Sequence, residues 1–230
     1  MQQRADIIDL SSNNPQIDFQ LVAKTGVKAA LHKATEGVGY VDDKCLSRLA
    51  QAKAAGLKTG AYHYLRIRHG KPQDAREQAH QYLAIYRAAN CEMLPCVDVE
   101  TAFNEGVSQA EACEAVLAFI DEIRLAGLNC IIYTSHGEWT SMGLSVLTRL
   151  STCPLWIAAY GPSAIAPRPW KTFAAWQWSG SGAMSGVVGP VDLSQCDGLG
   201  PLLKPNLTKL YFGIAAALAA AAAAYHLFGK

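Results

Sequence analysis

The sequence predicts an α/β fold, an irregular (β/α)8-type, TIM-like barrel with a C-terminal hydrophobic helix. Short apolar segments of strand length alternate with amphipathic segments of helix length at least five times, which indicates a largely parallel sheet. About eight strand segments are present, and that number favours closure into a barrel. The chain has 230 residues, 50% of them hydrophobic, and is long enough for one barrel of roughly 200 to 250 residues.

The first half of the chain has clear element boundaries. Strands are expected at residues 5–10, 28–33, 59–64 and 94–100. Helices are expected between them at about 16–25, 43–55 and 73–90. The first two helices end at Gly26 and Gly56, because glycine readily adopts the backbone conformation that ends a helix.

The second half contains one well-marked helix and further strand segments. Ser108 and Glu111 form a capping-box sequence that predicts the start of this helix, and Gly127 predicts its end. Strands are expected at residues 129–134, 155–160, 173–178 and 187–193, the last being a strand or a hairpin. Little helical pattern separates these strands, so we expect the barrel to be irregular.

Two acidic residues end the apolar run of the fourth strand. Asp98 and Glu100 stand two residues apart, so in a strand their side chains share a face, with backbones roughly 6.6 Å apart. Repulsion at that spacing raises the pKa of one acid, which can then act as a general acid while the other stays ionised. Such a pair is typical of glycosidic bond cleavage, although strands that run into loops also often end in solvated acids.

Further polar and aromatic side chains fall near the ends of predicted strands. Asp9 and Asp192 join Asp98 and Glu100 there, and active sites of α/β barrels form at the C-terminal ends of the strands. We therefore expect the four acids to converge on one rim. Aromatic residues at similar positions are candidates either for stacking on sugar rings or for the core: Tyr62, Tyr133, Tyr160, Trp176 and Trp178.

Composition argues against several functions. Residues 1–203 carry 17 basic and 19 acidic side chains, whereas nucleic-acid binding requires a basic patch. The seven cysteines are interpreted as buried free thiols rather than a disulfide scaffold. Cys-x-x-Cys pairs and histidines at metal-binding spacing are absent, so we expect no metal and no cofactor. The N-terminus has no apolar signal region, so no cleavable signal peptide is expected.

Several segments together resemble the family 25 glycoside hydrolases, the Ch-type lysozymes or N-acetylmuramidases. They occur in the family's order over about residues 5–200. The matching segments are residues 7–11, 17–19, 33–37, 60–64, 97–100, 133–134, 155–160, 176–178 and 191–193. Three positions, His32, Phe19 and Tyr64, depart from the usual residues of the family, which leaves substrate detail open.

The resemblance implies a function and a role for particular residues. The implied substrate is peptidoglycan, cut at the β-1,4 bond between N-acetylmuramic acid and N-acetylglucosamine. Glu100 matches the general acid and Asp98 the carboxylate that stabilises the reacting centre, while Asp9 and Asp192 match supporting acids of the site. The residues implied to bind substrate are Lys33, Tyr62, Tyr133, Trp176 and Gln177.

The role of Asp98 is left with two alternatives. Asp98 either attacks the anomeric carbon directly, or it orients the 2-acetamido group of the substrate as that group attacks. A nucleophile should approach the sugar from the face opposite the acid, whereas Asp98 and Glu100 rise from one strand, so the substrate-assisted route is favoured. Both routes retain the anomeric configuration.

The last residues differ abruptly in composition. Residues 201–209 read as a linker, and residues 210–228 form a 19-residue apolar stretch. As a helix it would be about 28 Å long, close to a bilayer core of about 30 Å. We expect a transmembrane helix that holds the enzyme at the membrane, acting on the periplasmic or cell-wall side as in a phage or prophage endolysin. A soluble alanine-rich helix is the alternative, and the orientation and oligomeric state stay open.

Two other functions compete with hydrolysis of peptidoglycan. A membrane-tethered, non-catalytic glycan-binding barrel would use the aromatic residues and leave the acids without a role. Retention of all four acids argues against this reading. A chitin hydrolase of similar shape is the third possibility, and the short Asp-x-Glu run argues against it.

Overall fold

The computed structural model describes residues 3–101, 104 and 106–205. Nine strands lie in one sheet. They are Ile7–Leu10 (β1), Ala29–Glu36 (β2), Tyr40–Val41 (β3), Lys58–Tyr64 (β4), Cys96–Asp98 (β5), Ile131–Ser135 (β6), Leu155–Ala158 (β7), Ala175–Gly182 (β8) and Val191–Gln195 (β9). Eight of the nine form a closed barrel, and β3 is a short hairpin strand on β2.

Strand direction changes at one place around the barrel. The pairs β1–β2, β2–β4, β4–β5, β5–β6, β6–β7 and β7–β8 are parallel, as predicted. Strand β9 is antiparallel to both of its neighbours, β8 and β1, and it closes the barrel. The beginning of β9 therefore lies at the same rim as the ends of the other strands.

Five α-helices within the described residues pack around the sheet, and their ends follow local sequence signals. They are Phe19–Lys24 (α1), Cys45–Ala54 (α2), Asp74–Ala89 (α3), Gln109–Leu125 (α4) and His136–Ser141 (α5). The Asp18 carboxylate accepts hydrogen bonds from two backbone N–H groups at the start of α1, and Ser108 and Glu111 form the predicted capping box of α4. Helix α5 was not expected from the sequence.

The barrel interior is built in two levels by the two-residue periodicity of its strands. Six inward-facing residues, one from each of six strands, form an apolar floor: Ile7, Leu31, Gly60, Cys96, Ile131 and Ala175. The residues two positions further along the same strands all line the cavity above this floor: Asp9, Lys33, Tyr62, Asp98, Tyr133 and Gln177. Alternation along a strand thus places one polar or aromatic side chain directly above each floor residue.

The opposite face of β4 packs against the long helices. His63 stacks on Phe119 of α4 with ring centroids 4.9 Å apart, and it is fully buried. Its Nδ1 lies 2.7 Å from Thr35 Oγ1, and its Nε2 lies 2.9 Å from Gln78 Oε1. Because an amide oxygen only accepts hydrogen bonds, His63 carries its proton on Nε2 and accepts from Thr35.

The barrel unit continues a little beyond residue 200. Leu202 is buried, and its carbonyl accepts a hydrogen bond of 2.8 Å from Leu94 N. Lys204 N donates to Glu92 O at 2.9 Å. The first residues of the predicted 201–209 linker are thus attached to the barrel, which they close at the end opposite the cavity.

The proposed membrane segment, residues 210–228, lies outside the described residues. Within residues 3–101, 104 and 106–205, none of the helices has the length and hydropathy that a membrane span requires.

Candidate active site

A cavity of about 270 Å³ opens at the rim where the parallel strands end. Eight of the nine site residues expected from the sequence line this space, which we call the acid cavity. They are Asp9, Lys33, Tyr62, Asp98, Glu100, Tyr133, Gln177 and Asp192. The cavity thus brings together residues from β1, β2, β4, β5, β6, β8 and β9.

The four acids reach the acid cavity in two ways. Asp98 is the last residue of β5, and Glu100 follows two positions later and lines the same cavity. Asp9 on β1 stands directly opposite Asp192 on β9 in the antiparallel pair. Asp192 is the second residue of its strand, so it reaches the rim only because β9 runs against its neighbours.

Gln177 holds one wall of the cavity in a fixed arrangement. Its Nε2 donates to both carboxylate oxygens of Asp9, at 3.0 Å and 3.3 Å. Its Oε1 accepts from the hydroxyl groups of Tyr133 and Tyr160, each at 2.9 Å. Both ends of the amide are therefore used, which fixes its orientation and that of the two phenol rings.

Glu100 lies between a hydrogen-bond donor and another acid. Tyr64 Oη donates to Glu100 Oε2 at 3.3 Å, and the charge of Glu138 on α5 acts on Glu100 from the outside. Glu138 is itself held by Thr101 N, which donates to its Oε2 at 2.6 Å. Neither Tyr64 nor Glu138 was selected from the sequence as a site residue.

Burial raises the pKa of all four acids. The pKa of Glu100 is raised by burial and by the charge of Glu138, while the Tyr64 hydroxyl opposes the rise. The pKa of Asp98 is raised well above its ordinary value by burial and by Glu100, and Lys33 opposes this. The pKa of Asp9 is raised well above its ordinary value by burial and by Asp192. Burial also raises the pKa of Asp192.

These shifts have a direct chemical consequence. Four carboxyl groups around so small a space hold their protons to a higher pH than separate carboxyl groups would, and one member of the cluster can donate such a proton. The sequence predicted one protonated and one ionised acid, and the structure extends that coupling to four acids.

Asp98 lines the acid cavity and also carries an unsatisfied polar atom. Its Oδ1 is buried and has no hydrogen-bond partner among the described residues. A buried acceptor without a partner is unfavourable by about 1–3 kcal/mol, so such groups are uncommon outside functional sites. The Asp98 carboxyl therefore carries an unfavourable desolvation at the wall of the acid cavity.

Trp176 is the one predicted site residue that does not line the acid cavity. It lies one position before Gln177 on β8, so its side chain is on the other face of the strand. The indole is buried against the helix layer, and its Nε1 donates to Ala159 O at 2.7 Å. The structure therefore gives Trp176 a packing environment outside the cavity.

Two site residues missed from the sequence carried different amounts of signal. Tyr64 follows Tyr62 by two positions in the same strand, and that spacing places both rings in the cavity. Glu138 belongs to α5, whose six residues are too few for a helical periodicity to appear.

Comparisons with known proteins agree on one family. The family model described as Glycosyl hydrolases family 25 matches residues 8–187. The autolytic lysozyme of Clostridium acetobutylicum is 30% identical over 188 residues, which is 82% of this chain and 54% of that protein. Lysozyme M1 of Streptomyces globisporus is 26% identical over 200 residues, 83% of this chain and 67% of that protein. The chain thus spans about half to two thirds of the length of these relatives.

Solved structures share the fold. The Clostridium perfringens spore cortex lytic enzyme SleM superimposes with a TM-score of 0.76 at 25% identity, covering 86% of this chain and 69% of that chain. The bacterial lysozyme from Streptomyces coelicolor superimposes with a TM-score of 0.74 at 24% identity, covering 86% of this chain and 94% of that chain. Their likeness extends over the whole barrel.

Proposed function

Because the chain belongs to the family 25 glycosyl hydrolases, we propose that it is a muramidase. Its reaction is hydrolysis of the β-1,4 bond between N-acetylmuramic acid and N-acetylglucosamine in peptidoglycan. The observation that carries this proposal is the pair formed by Glu100 and Asp98 in one cavity, where burial raises the pKa of both acids and the charge of Glu100 raises that of Asp98 further. Most glycoside hydrolases use two such carboxyl groups as their catalytic pair.

Glu100 acts as the general acid in this proposal. Its raised pKa keeps the carboxyl protonated at a pH where an exposed glutamate would have ionised. The proton passes to the glycosidic oxygen as the bond to the anomeric carbon stretches. The oxygen leaves as a hydroxyl group, and Glu100 becomes a carboxylate that later activates the attacking water.

Asp98 assists from the same side of the cavity. Its carboxylate accepts the N–H of the 2-acetamido group, whose carbonyl oxygen then attacks the anomeric carbon. Positive charge grows on the acetamido group in this step and favours ionisation of Asp98, whose carboxylate stabilises that charge. Water opens the resulting ring, so the product retains its configuration.

The other residues of the acid cavity position the sugar. Asp9 on β1 and Asp192 on β9 lie across the barrel from β5, which carries Asp98. Gln177 is oriented between Asp9 and the tyrosine hydroxyls. Tyr62 and Tyr133 offer ring surface, and Lys33 places a positive charge beside Asp98. These groups are proposed to bind hydroxyl and acetamido groups of the substrate.

The experiment that tests the proposal is digestion of purified peptidoglycan by the full chain. We expect new reducing ends that carry N-acetylmuramic acid, with retained configuration by NMR. Glu100→Gln should abolish them, whereas Glu77→Gln, on an exposed face of α3, should not. A folded wild-type protein that binds peptidoglycan without new ends would favour the tethered binding barrel. Cleavage of chitin in preference to peptidoglycan would identify a chitin hydrolase, and inverted products would contradict the mechanism.

We also propose membrane insertion of residues 210–228, on their composition alone. The full chain should then float with lipid vesicles in a density gradient. Ala219→Asp combined with Ala222→Asp places two charges near the centre of the segment, each costing roughly 3 kcal/mol on insertion scales. The double variant should remain with the soluble fraction, and equal flotation of both proteins would contradict insertion.

A further inference from the structure

A second recess adjoins the acid cavity and differs from it in charge. Its volume is about 560 Å³, and it shares Ser11, Asn13 and Lys33 with the acid cavity as a common wall. The described side chains that line it include three cations, Lys33, Arg66 and Arg68, and one anion, Glu36. We call this recess the basic groove.

Three segments at the cavity rim form the basic groove: the end of β2, the loop after β4 and the turn after β1. Glu36 ends β2, where a bulge between Lys33 and Thr35 shifts the register of the strand. Arg66 and Arg68 follow β4 and alternate with the buried Ile67, so both arginines point away from the core. The third contribution is the turn after β1, which contains Ser11 and Asn13.

Arg66 is held in place along its whole length. Gln78, which is 1% exposed, accepts from Arg66 N at 3.1 Å and donates to Arg66 O. The alkyl part of Arg66 lies against Gly37, where any β-carbon would come within 3.2 Å of it. The guanidinium Nε donates to Glu36 Oε1 at 2.8 Å. Arg66 therefore reaches the groove in one preorganised position.

Glu36 joins two of the cations and does not cancel the charge of the groove. Its Oε2 accepts from Lys33 Nζ at 2.6 Å, while Oε1 accepts from Arg66. Burial would raise the pKa of Glu36, but the hydrogen bonds from Lys33 and Arg66 outweigh it and lower the pKa. Arg68 is paired with Asp74, but its side chain is 55% exposed. With Asp74 counted beside Glu36, three cations of the groove stand against two anions among the described residues, so one positive charge remains.

The geometry points to a subsite for carboxylates of the peptide stem of peptidoglycan, formed by Arg66 and Arg68 and resting on the proposed muramidase function. The glycan backbone of peptidoglycan is uncharged where its lactyl groups carry stems, and the carboxylates lie on those stems. A glycan strand bound in the acid cavity lies next to the basic groove. Arginine side chains bind carboxylates through charge-assisted hydrogen bonds. An uncharged chitin-type strand would gain nothing from these cations.

An effect of the arginines on the pKa of the acids must be distinguished from binding of stem carboxylates. Lys33 already influences the pKa of Asp98 and Glu100, so nearby cations could act on the acids alone. Such an effect would move the pH profile of hydrolysis equally for every substrate. A stem subsite would instead change KM, and only for substrates whose stems are charged.

The test compares two forms of one substrate, using the full chain. Purified peptidoglycan free of teichoic acid is N-acetylated, and half of it is treated with carbodiimide and methylamine to convert stem carboxylates into methylamides. We expect kcat/KM to be about three- to tenfold higher on the charged form, through KM, with the preference falling at high ionic strength. Arg68→Gln should reduce the preference, and Arg66→Gln with Arg68→Gln should remove it.

The matched control is Arg76→Gln, which removes an exposed arginine of α3 that is paired with Glu122 outside the groove. It should keep the wild-type preference. Thermal unfolding of each variant checks its fold, and Arg68→Gln, in an exposed loop, keeps the test valid if Arg66→Gln is unstable.

Two outcomes would overturn the inference. One is equal hydrolysis of both forms by the wild type, and the other is a preference that survives in the folded double variant with only the pH profile changed. If the wild type releases no reducing ends from either form, the muramidase proposal itself fails.

Discussion

Asp9 and Asp192 face each other directly across the antiparallel strands β1 and β9, and the charge of Asp192 raises the pKa of Asp9. Burial acts in the same direction on both carboxyl groups. A carboxyl whose folded pKa lies above its unfolded value contributes stability at low pH, and that contribution is lost as pH rises through the folded pKa. At neutral pH this pair therefore destabilises the fold.

Asp192→Asn should consequently stabilise the protein while impairing the site. We expect the free energy of unfolding at pH 7 to rise by on the order of 1 kcal/mol, because the substitution removes the charge that raises the pKa of the buried Asp9. Urea unfolding measures this, with Asp197→Asn on the surface as the control that should change stability by less than about 0.5 kcal/mol. A loss of stability in Asp192→Asn would show that the pair is held by favourable contacts instead.

Tyr64→Phe tests the protonation of Glu100. The Tyr64 hydroxyl lowers the pKa of Glu100 by donating to its carboxylate, so removal of the hydroxyl raises that pKa further. If Glu100 donates the proton, activity is lost as pH rises through its pKa, and the alkaline limb of kcat/KM should move to higher pH. Turnover at the optimum should fall by less than about tenfold. A limb that moves to lower pH, or stays in place, would assign the ionisation to another group.

His63 should make stability depend on pH. Burial lowers its pKa to about 4, from an ordinary value of 6.5. Between these values the unfolded chain binds the proton and the folded protein does not, so stability falls as pH decreases from about 6.5 to about 4, by up to about 3 kcal/mol. His63→Gln should flatten this dependence in urea unfolding at several pH values. The matched control is His136→Gln, which removes an exposed imidazole that hydrogen-bonds to a backbone carbonyl and should leave the dependence unchanged.

Gly60→Ala tests how tightly the floor of the barrel is packed. A β-carbon at Gly60 would lie 2.7 Å from Leu31 Cγ and 3.1 Å from Met93 Sδ. We expect Gly60→Ala to lower the free energy of unfolding by about 1–3 kcal/mol. Leu31→Val makes room for the methyl group, so the double variant should lose less than the sum of the two single effects. Gly56→Ala is the comparison, because its φ of +87° is strained but nothing lies within 4 Å of its β-carbon. Additive effects of Gly60→Ala and Leu31→Val would contradict direct crowding.

Substitutions of Trp176 and Tyr133 should distinguish a role in packing from a role in substrate binding. Trp176→Phe removes a buried hydrogen bond outside the cavity and should lower stability by about 1–2 kcal/mol, with KM for peptidoglycan unchanged. Tyr133→Phe removes the 2.9 Å hydrogen bond to Gln177 inside the cavity and should lower kcat/KM instead. A raised KM in Trp176→Phe with normal stability would show that Trp176 contributes to substrate binding.

Much of the fold follows from local patterns in the sequence. The strands are short and apolar, and the alternation that gives Ile7 then Asp9, or Cys96 then Asp98, already specifies which side chains lie above the floor. The same alternation applied to Trp176 and Gln177 assigns the two residues to opposite faces, so one of the pair could not face the cavity.

Other features depend on contacts that a local pattern does not contain. The direction of β9 is set by its pairing with β1, which is about as remote in the sequence as the described chain allows. The basic groove joins β2, the loop after β4 and the turn after β1, and its arginines read in the sequence as ordinary surface charges. Long-range pairing, rather than propensity, decides such arrangements.

The antiparallel closing strand also determines when during synthesis the cavity can exist. Asp9 is among the first residues of the barrel to leave the ribosome, whereas its partners Gln177 and Asp192 are among the last of the barrel, and Gln177 bonds to Asp9 across 168 positions. A nascent chain that lacks β9 has an open sheet with two unpaired edges and no complete ring of acids. The complete acid cavity is therefore assembled only after translation has passed residue 195, and barrel closure depends on contacts of very high sequence separation, which fold slowly.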